Sequence, residues 1–196
     1  MILGVNARLL LSDRLEGIPR YLYETTREMA LQNPKDHFIL YFDRNPVHSF
    51  DFPSNVTHRV VLLPTRHPFL WVVWFEFLLP YFLKKDKVDV FYSPDGFLSL
   101  RSTIPVVLVT HDLAYIHYPE HIPFVARIYY RFFIKKFHNK SNHIIAVSKA
   151  TQDDIHFQFD IPLEKISIAY NALQADIKDN SGDIRPRIKT IIDSNY

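Results

Sequence analysis

The chain has 196 residues, of which 47% are hydrophobic and 22% charged, with a formal net charge of +2 and no cysteine. The hydrophobic content is ample for a packed core and excludes a disordered chain, and the small net charge points to no nucleic-acid partner. The absence of cysteine excludes a disulfide framework and a thiolate metal site, and it suits a cytoplasmic protein.

Two apolar stretches are candidates for a signal peptide and for a transmembrane helix, and neither has the sequence features of one. Residues 1–6 lack the basic segment that opens a signal peptide. Residues 69–83 contain Glu76 and Pro80 and are shorter than the ~20 apolar residues needed to cross a bilayer. We therefore expect neither a signal peptide nor a transmembrane helix.

Short apolar segments alternate with longer segments of helical periodicity along most of the chain. Strands are predicted over residues 1–6, 37–42, 57–63, 88–92, 104–110, 143–147 and 165–169. Helices are predicted over residues 19–31, 69–85, 124–140 and 149–157, the last with Ser148 as its N-cap. This alternation predicts an α/β sandwich with a mostly parallel sheet. Residues 113–123 are predicted to be a loop, and within the polar residues 174–196 one more short strand or helix is predicted over residues 187–193.

The fifth predicted strand ends in two ionisable side chains. Residues 106–109 are apolar and mostly β-branched, as in a strand covered by helices on both faces. His111 and Asp112 follow at its carboxyl end, where open α/β sheets bind their ligands. His111 is therefore the sharpest functional candidate. The alternative is a structural histidine that Asp112 holds in place.

The start of the first helix is a second candidate site. Gly17 permits a sharp turn, and backbone N–H groups at a helix N-terminus bind anions well. Gly17 and Arg20 are therefore candidate ligand-binding residues, and Asn6 and Arg8, just past the first strand, could line the same cleft. The alternatives are an ordinary turn and a surface charge at Arg20.

Two of the predicted helices are rich in aromatic residues. Residues 69–85 are apolar nearly all round, which predicts a buried helix with a kink at Pro80. Residues 124–140 interleave aromatic residues with basic ones, which makes them candidates for contact with an anionic membrane: Arg127, Arg131, Lys135 and Lys136. The alternative is a core-packed helix with a solvated basic face.

The sequence favours no metal, dinucleotide or serine-nucleophile site. His117 and His121 are separated by Pro119, which breaks the helical spacing of a two-histidine metal site. The chain has only four glycines and carries no glycine-rich phosphate loop. No serine lies in a nucleophile elbow followed by a histidine and an acid. We expect no cofactor.

Several stretches, in their order along the chain, resemble one enzyme family. They are residues 15–21 at the first helix, residues 88–94, residues 106–112 with their His-Asp-Leu ending, and the run formed by residues 144–149 and 165–171. Together they resemble the N-terminal half of retaining nucleotide-sugar glycosyltransferases with the GT-B fold, of the group-1 or family 4 type. The chain departs from that family's pattern at Glu16, which replaces a glycine, and at Ala172 and Leu173, which replace Gly-Val.

The resemblance implies a Rossmann-like three-layer sandwich over residues 1–173, which would be the acceptor-side domain. Residues 174–196 would be a linker or the start of a donor-binding domain that is missing here. The whole enzyme would move a hexose from a nucleotide diphosphate sugar to a saccharide or lipid-linked acceptor with retention, in surface polysaccharide or glycolipid synthesis. This chain alone should be inactive, and the enzyme should be cytoplasmic or peripheral at the inner face of the membrane.

The resemblance also assigns roles to individual residues. His111 would contact the transferred sugar, and the substrate-binding residues would be Asn6, Arg8, Gly17, Arg20, Asp112, Ser148 and Asn171. Two rival functions stay open. One is a non-catalytic α/β module that binds a protein or membrane partner, and the other is a GT-B nucleotide-sugar epimerase.

Overall fold

The structure, a computed structural model, describes residues 1–11, 15–46, 49–65 and 68–171. Seven strands form one sheet in the order β3-β2-β1-β4-β5-β6-β7, and every described pairing is parallel. The strands are β1 Ile2–Asn6, β2 His37–Phe42, β3 Val56–Val60, β4 Val90–Ser93, β5 Val106–Thr110, β6 His143–Ala146 and β7 Ile166–Ile168. The prediction of an α/β fold with a mostly parallel sheet is confirmed.

Helices cover both faces of the sheet and form the outer two of three layers. The helices are α1 Ile18–Gln32, α2 Pro68–Val73, α3 Leu79–Lys85, α4 Ala114–His117, α5 Phe124–Lys140 and α6 Lys149–Phe159. One buried cluster joins α1 to the sheet through Leu22 and Ala30. A second cluster on the other face contains Leu79, Phe137 and Ile155, from α3, α5 and α6. The β-branched strands lie between these two cores, as their continuous hydrophobicity predicts.

Close packing at the centre of the sheet depends on Gly4 in β1. A Cβ atom placed there would meet the side chains of Leu83, Tyr41 and Val88 at 3.1 Å each. Real Cβ contacts are rarely this short, so any larger residue would push α3 away from the sheet. Gly4 therefore lets α3 approach the first strand.

The predicted helix over residues 69–85 is one continuous segment with an irregular centre. Trp74–Leu78 form a π-helical turn between α2 and α3, in which the Leu79 N–H donates to the Trp74 carbonyl. Pro80 has no N–H, and its ring clashes with a carbonyl four residues earlier, so a wider turn before it relieves that clash. The expected burial is only partly right, because Phe69, Phe77 and Tyr81 are exposed.

Several predicted boundaries are wrong for local reasons. The strand predicted to start at residue 88 starts at Val90, because Lys87 adopts a positive φ of 56° in a tight turn. The strand predicted to reach residue 63 ends at Val60. The predicted loop over residues 113–123 contains α4 and a 3₁₀ turn at Pro119–His121. The prediction for residues 174–196 lies outside the described residues.

Among the described residues, no helix is long and apolar enough to span a membrane.

Candidate functional site

The carboxyl ends of β1, β4 and β5, which are neighbours in the sheet, bring the candidate residues together. Asn6 closes β1, Ser93 closes β4, and His111 directly follows β5. Parallel strands place these ends on one edge of the sheet, where α/β folds bind ligands. The sequence placed His111 and Asn6 at this edge, and the structure confirms that position.

The imidazole of His111 is fixed between two elements. Its Nε2 lies 2.8 Å from the carbonyl oxygen of Pro94, which can only accept, so Nε2 carries the proton. The Tyr21 ring meets the imidazole edge-on, with 5.0 Å between ring centroids. In the neutral ring, Nδ1 is then the unprotonated nitrogen and a hydrogen-bond acceptor. The ring thus has a set orientation and tautomer.

A cavity of about 250 Å³ opens beside His111. Its lining comes from α1, the turn after β4, the end of β5, α4 and α5, and includes Ile18, Asp95, Phe97, Asp112, Tyr115 and Tyr130. The Tyr115 hydroxyl is buried and has no hydrogen-bond partner among the described residues. A buried donor of this kind is costly unless something pairs with it, which is what a ligand in the cavity would do.

A buried polar network supports the turn that holds His111. The Asn6 side-chain amide donates to Ser93 Oγ at 3.1 Å and to Asp95 Oδ1 at 2.8 Å. Arg8 Nη2 donates to Asp95 Oδ2 at 2.9 Å, and the two side chains are only 13% and 3% exposed. Asn6 and Arg8 thus act through Asp95 and keep the turn around Pro94 in place. The sequence missed Asp95, although a polar turn directly after a strand was a signal for it.

The turn at Gly17, at the start of α1, also borders the cavity beside His111. Gly17 has a φ of 57°, which favours glycine, and the space where a Cβ would stand is open. Gly17, the N-cap residue of α1, has no side chain with which to cap the helix, and Ile18, the first helical residue, lines the cavity. Arg20 lies one turn further on, where its guanidinium pairs with Glu24 at 3.1 Å on the helix surface. The described lining of the cavity does not include Arg20.

Asp112 and Ser148 each make a local backbone hydrogen bond, and Asp112 also lines the cavity beside His111. Asp112 is exposed and accepts the Ala114 N–H at 3.0 Å, so it shapes the start of α4 and does not hold His111. Ser148 Oγ accepts the Thr151 N–H at 3.0 Å as the cap of α6, as predicted from its position. Thr151 Oγ1, in turn, donates to the His111 carbonyl at 3.1 Å and ties α6 to the site. A substrate-binding role for Asp112 or Ser148 stays a prediction.

Asn171 is exposed and lies beyond the carboxyl end of β7, the outermost strand. Its proposed role in substrate binding also stays a prediction.

His138 is a buried histidine that also lines the cavity. Its Nδ1 lies 2.8 Å from the Ile134 carbonyl and its Nε2 lies 2.8 Å from Thr110 Oγ1, so both nitrogens are satisfied in a neutral ring. Burial lowers the pKa of His138 from 6.5 to about 4. His138 therefore fixes α5 to the end of β5 without carrying charge at neutral pH.

The basic residues of α5 differ in exposure. Arg131, Lys135 and Lys136 are exposed, whereas Arg127 is half-buried and donates from Nη2 to the Ile122 carbonyl at 3.4 Å. The described residues contain no cluster of three histidine, aspartate or glutamate side chains that could hold a metal ion.

The sequence model of one protein family, Glycosyltransferase Family 4, matches residues 15–176. The chain belongs to this family. The O-antigen chain mannosyltransferase RfbU of Salmonella typhimurium is 27% identical over 123 residues, which are 61% of this chain and 33% of that protein. The chain thus spans about a third of the length of this curated relative.

Solved structures share the fold at low sequence identity. WaaG, a glycosyltransferase involved in lipopolysaccharide biosynthesis, superposes with a TM-score of 0.63 at 11% identity, covering 98% of this chain and 51% of WaaG. A glycosyltransferase from Rickettsia africae gives a TM-score of 0.51 at 13% identity, covering 98% of this chain and 48% of that structure. These likenesses confirm the Rossmann-like fold, which corresponds to about half of each structure.

Proposed function

We propose that this chain is the acceptor-binding half of a glycosyltransferase that moves a hexose from a nucleotide diphosphate sugar to a saccharide or lipid-linked acceptor with retention. The observation that carries the proposal is the cavity beside His111, at the ligand-binding edge of the sheet in a family 4 chain. RfbU is named an O-antigen chain mannosyltransferase, which supports a role in surface polysaccharide synthesis.

In this proposal His111 positions the transferred sugar. Its fixed tautomer leaves Nδ1 to accept a hydrogen bond from a sugar hydroxyl, and Pro94 keeps the ring from turning away. The His111 carbonyl already accepts from Thr151 and retains one lone pair, which could face the anomeric centre. Precise positioning of this kind lowers a barrier without a protein nucleophile.

The Gly17 turn would approach the donor diphosphate. Backbone N–H groups at the N-terminus of α1 suit an anion, and the open space at Gly17 lets it come close. The donor itself would be bound mainly by a second domain, with residues 174–196 as the linker to it or as its beginning. The 196-residue chain alone is expected to bind acceptor and to transfer no sugar.

We also propose that α5 contacts an anionic membrane surface. Phe124, Ile128 and Phe132 are exposed and spaced four residues apart, so they form one apolar stripe along the helix. Arg131 and Lys135 are exposed beside this stripe. An exposed apolar stripe flanked by cations suits the interface of an anionic bilayer, where a lipid-linked acceptor would lie.

The test of the transfer function is His111→Ala in the protein that carries both domains. Because the imidazole would act in the transition state, we expect kcat/KM for sugar transfer to fall by about 100-fold or more. The matched control is His143→Ala, at the opposite, amino end of β6, which should transfer at nearly the wild-type rate. Wild-type turnover by a folded His111→Ala enzyme would exclude the role proposed for His111.

A further inference from the structure

A second cavity, of about 380 Å³, adjoins the one at His111. We call it the aromatic pocket, and its described lining is Arg8, Thr65, Trp71, Phe97, Pro123, Val125, Ala126, Tyr129 and Tyr130. Phe97 and Tyr130 also line the His111 cavity, so these two side chains form a shared wall. A ligand in the aromatic pocket would therefore be a direct neighbour of a ligand at His111.

The walls of the aromatic pocket are rings that hold one another in place. Trp71 meets Phe97 and Tyr129 edge-on, with ring centroids 4.8 Å and 4.5 Å apart. Tyr129 also stacks on Phe133, with centroids 4.5 Å apart. Rings packed in this way lose little further conformational entropy when a ligand binds, so the pocket is preorganised.

The charge of the pocket is balanced within the protein. Among the described lining residues, Arg8 is the one charged side chain, and its guanidinium is paired with the buried Asp95 at 2.9 Å. The same guanidinium lies 5.9 Å from the centroid of the Trp71 ring and 5.8 Å from that of Phe97. An anionic ligand would have to compete with Asp95 for Arg8, so the pocket favours an uncharged ligand.

The walls are also partly polar. Burial raises the pKa of both Tyr129 and Tyr130, so both hydroxyls keep their protons at physiological pH. Each hydroxyl can then donate and accept a hydrogen bond. A purely hydrocarbon ligand would leave these groups and Arg8 facing an apolar surface, which costs free energy.

We propose that the aromatic pocket binds an uncharged pyranose ring of the acceptor, next to the sugar that lies at His111. A pyranose ring carries C–H groups on its faces, which pack against aromatic faces, and hydroxyl groups at its rim, which pair with tyrosines and arginine. The inference rests on the proposed function, because it treats the ligand as the acceptor of the same transfer reaction.

The experiment is saturation-transfer NMR on the 196-residue chain with methyl hexopyranosides of both anomeric configurations as ligands, and separately with dodecyl phosphate. We expect at least one pyranoside to bind, and Tyr129→Leu to weaken that binding by about fivefold to tenfold because one ring is lost. Tyr81→Leu is the matched control: Tyr81 is exposed on α3 and outside the pocket, so pyranoside binding should be unchanged.

Tyr129→Phe keeps the aromatic ring and its packing, so a change in pyranoside binding by this variant cannot come from misfolding. It should weaken pyranoside binding by a few-fold, through loss of one hydroxyl hydrogen bond. The inference is overturned if no pyranoside binds, or if Tyr129→Leu and Tyr81→Leu bind it equally. It is also overturned if dodecyl phosphate binds in a Tyr129-dependent way and the pyranosides do not.

The two proposals fail separately. If His111→Ala transferred sugar at the wild-type rate, the proposed role of His111 would be excluded. Pyranoside binding in the aromatic pocket would not be affected by that result. If His111→Ala lost transfer and pyranoside binding did not depend on Tyr129, the proposal for the aromatic pocket would be excluded. The transferase proposal would still be supported.

Discussion

His111 and Asp112 are adjacent in the chain, but the fold gives them separate partners. His111 binds the Pro94 carbonyl, and Asp112 binds the Ala114 N–H. The sequence could place both at the end of a strand, because the apolar run stops there. The sequence could not predict their hydrogen-bond partners. Pro94, for example, lies 17 residues from His111 and contacts it only because β4 and β5 are neighbours in the sheet.

His138 shows the same limit at a buried position. The sequence gives one histidine near the end of a basic helix, and its burial emerges only from packing against Thr110 and Phe159. Buried and neutral, it makes the native state a poorer proton acceptor than the unfolded chain. The stability of the protein should therefore depend on pH through this residue.

The free energy of unfolding should fall as the pH drops from 6.5 to about 4. In this range His138 is protonated in the unfolded chain but stays neutral in the native state, because burial lowers its pKa. The total loss is up to about 3 kcal/mol, with no effect of His138 above that range. His138→Gln should show a shallower decline in urea titrations at several pH values. His121→Gln, which removes a histidine that is 75% exposed, is the matched control. Equal slopes for wild type and His138→Gln would contradict this account.

At the scale of elements, α6 was the best-predicted helix start. Ser148 follows an apolar strand, and its hydroxyl accepts the Thr151 N–H as a cap should. The interior of the segment from α2 to α3 was less predictable. Its π-helical turn places Glu76 so that its carboxylate accepts the backbone N–H groups of Leu100 and Arg101. That contact depends on the distant loop after β4, which no helical periodicity reveals.

Ser148→Ala should destabilise the domain by about 1 kcal/mol, because the Thr151 N–H loses its acceptor. Chemical denaturation measures the change, and Ser148→Thr, which retains a hydroxyl, should recover most of it. An alanine variant as stable as wild type would show that the cap contributes nothing.

At the scale of the whole molecule, the sheet order decides which surfaces meet. β1, β4 and β5 are adjacent in the sheet, although Asn6 at the end of β1 and Ser93 at the end of β4 are 87 positions apart in the chain. This adjacency puts the His111 cavity and the aromatic pocket side by side. The N-terminal turn of α5 borders the aromatic pocket through Val125 and Ala126, so the pocket and the proposed membrane face lie on the same helix.

Vesicle co-sedimentation tests the membrane face. Replacing Arg131, Lys135 and Lys136 with glutamine should weaken binding to phosphatidylglycerol vesicles by roughly 100-fold, at about 1 kcal/mol for each cation. The same substitutions at Lys84, Lys85 and Lys87, at the end of α3, remove an equal charge and should have a much smaller effect. Equal losses in the two triple variants would assign binding to net charge and not to α5.

The sequence alone determined the alternation of strands and helices, the parallel sheet, the cap of α6 and the position of His111 at a strand end. These features follow from local hydrophobic periodicity and from backbone geometry. Only the tertiary structure decided that Asp95 supports the site, that Asp112 does not hold His111, and that two cavities share Phe97 and Tyr130. Those contacts join residues far apart in the chain, so they form only after the sheet and its helices have packed together.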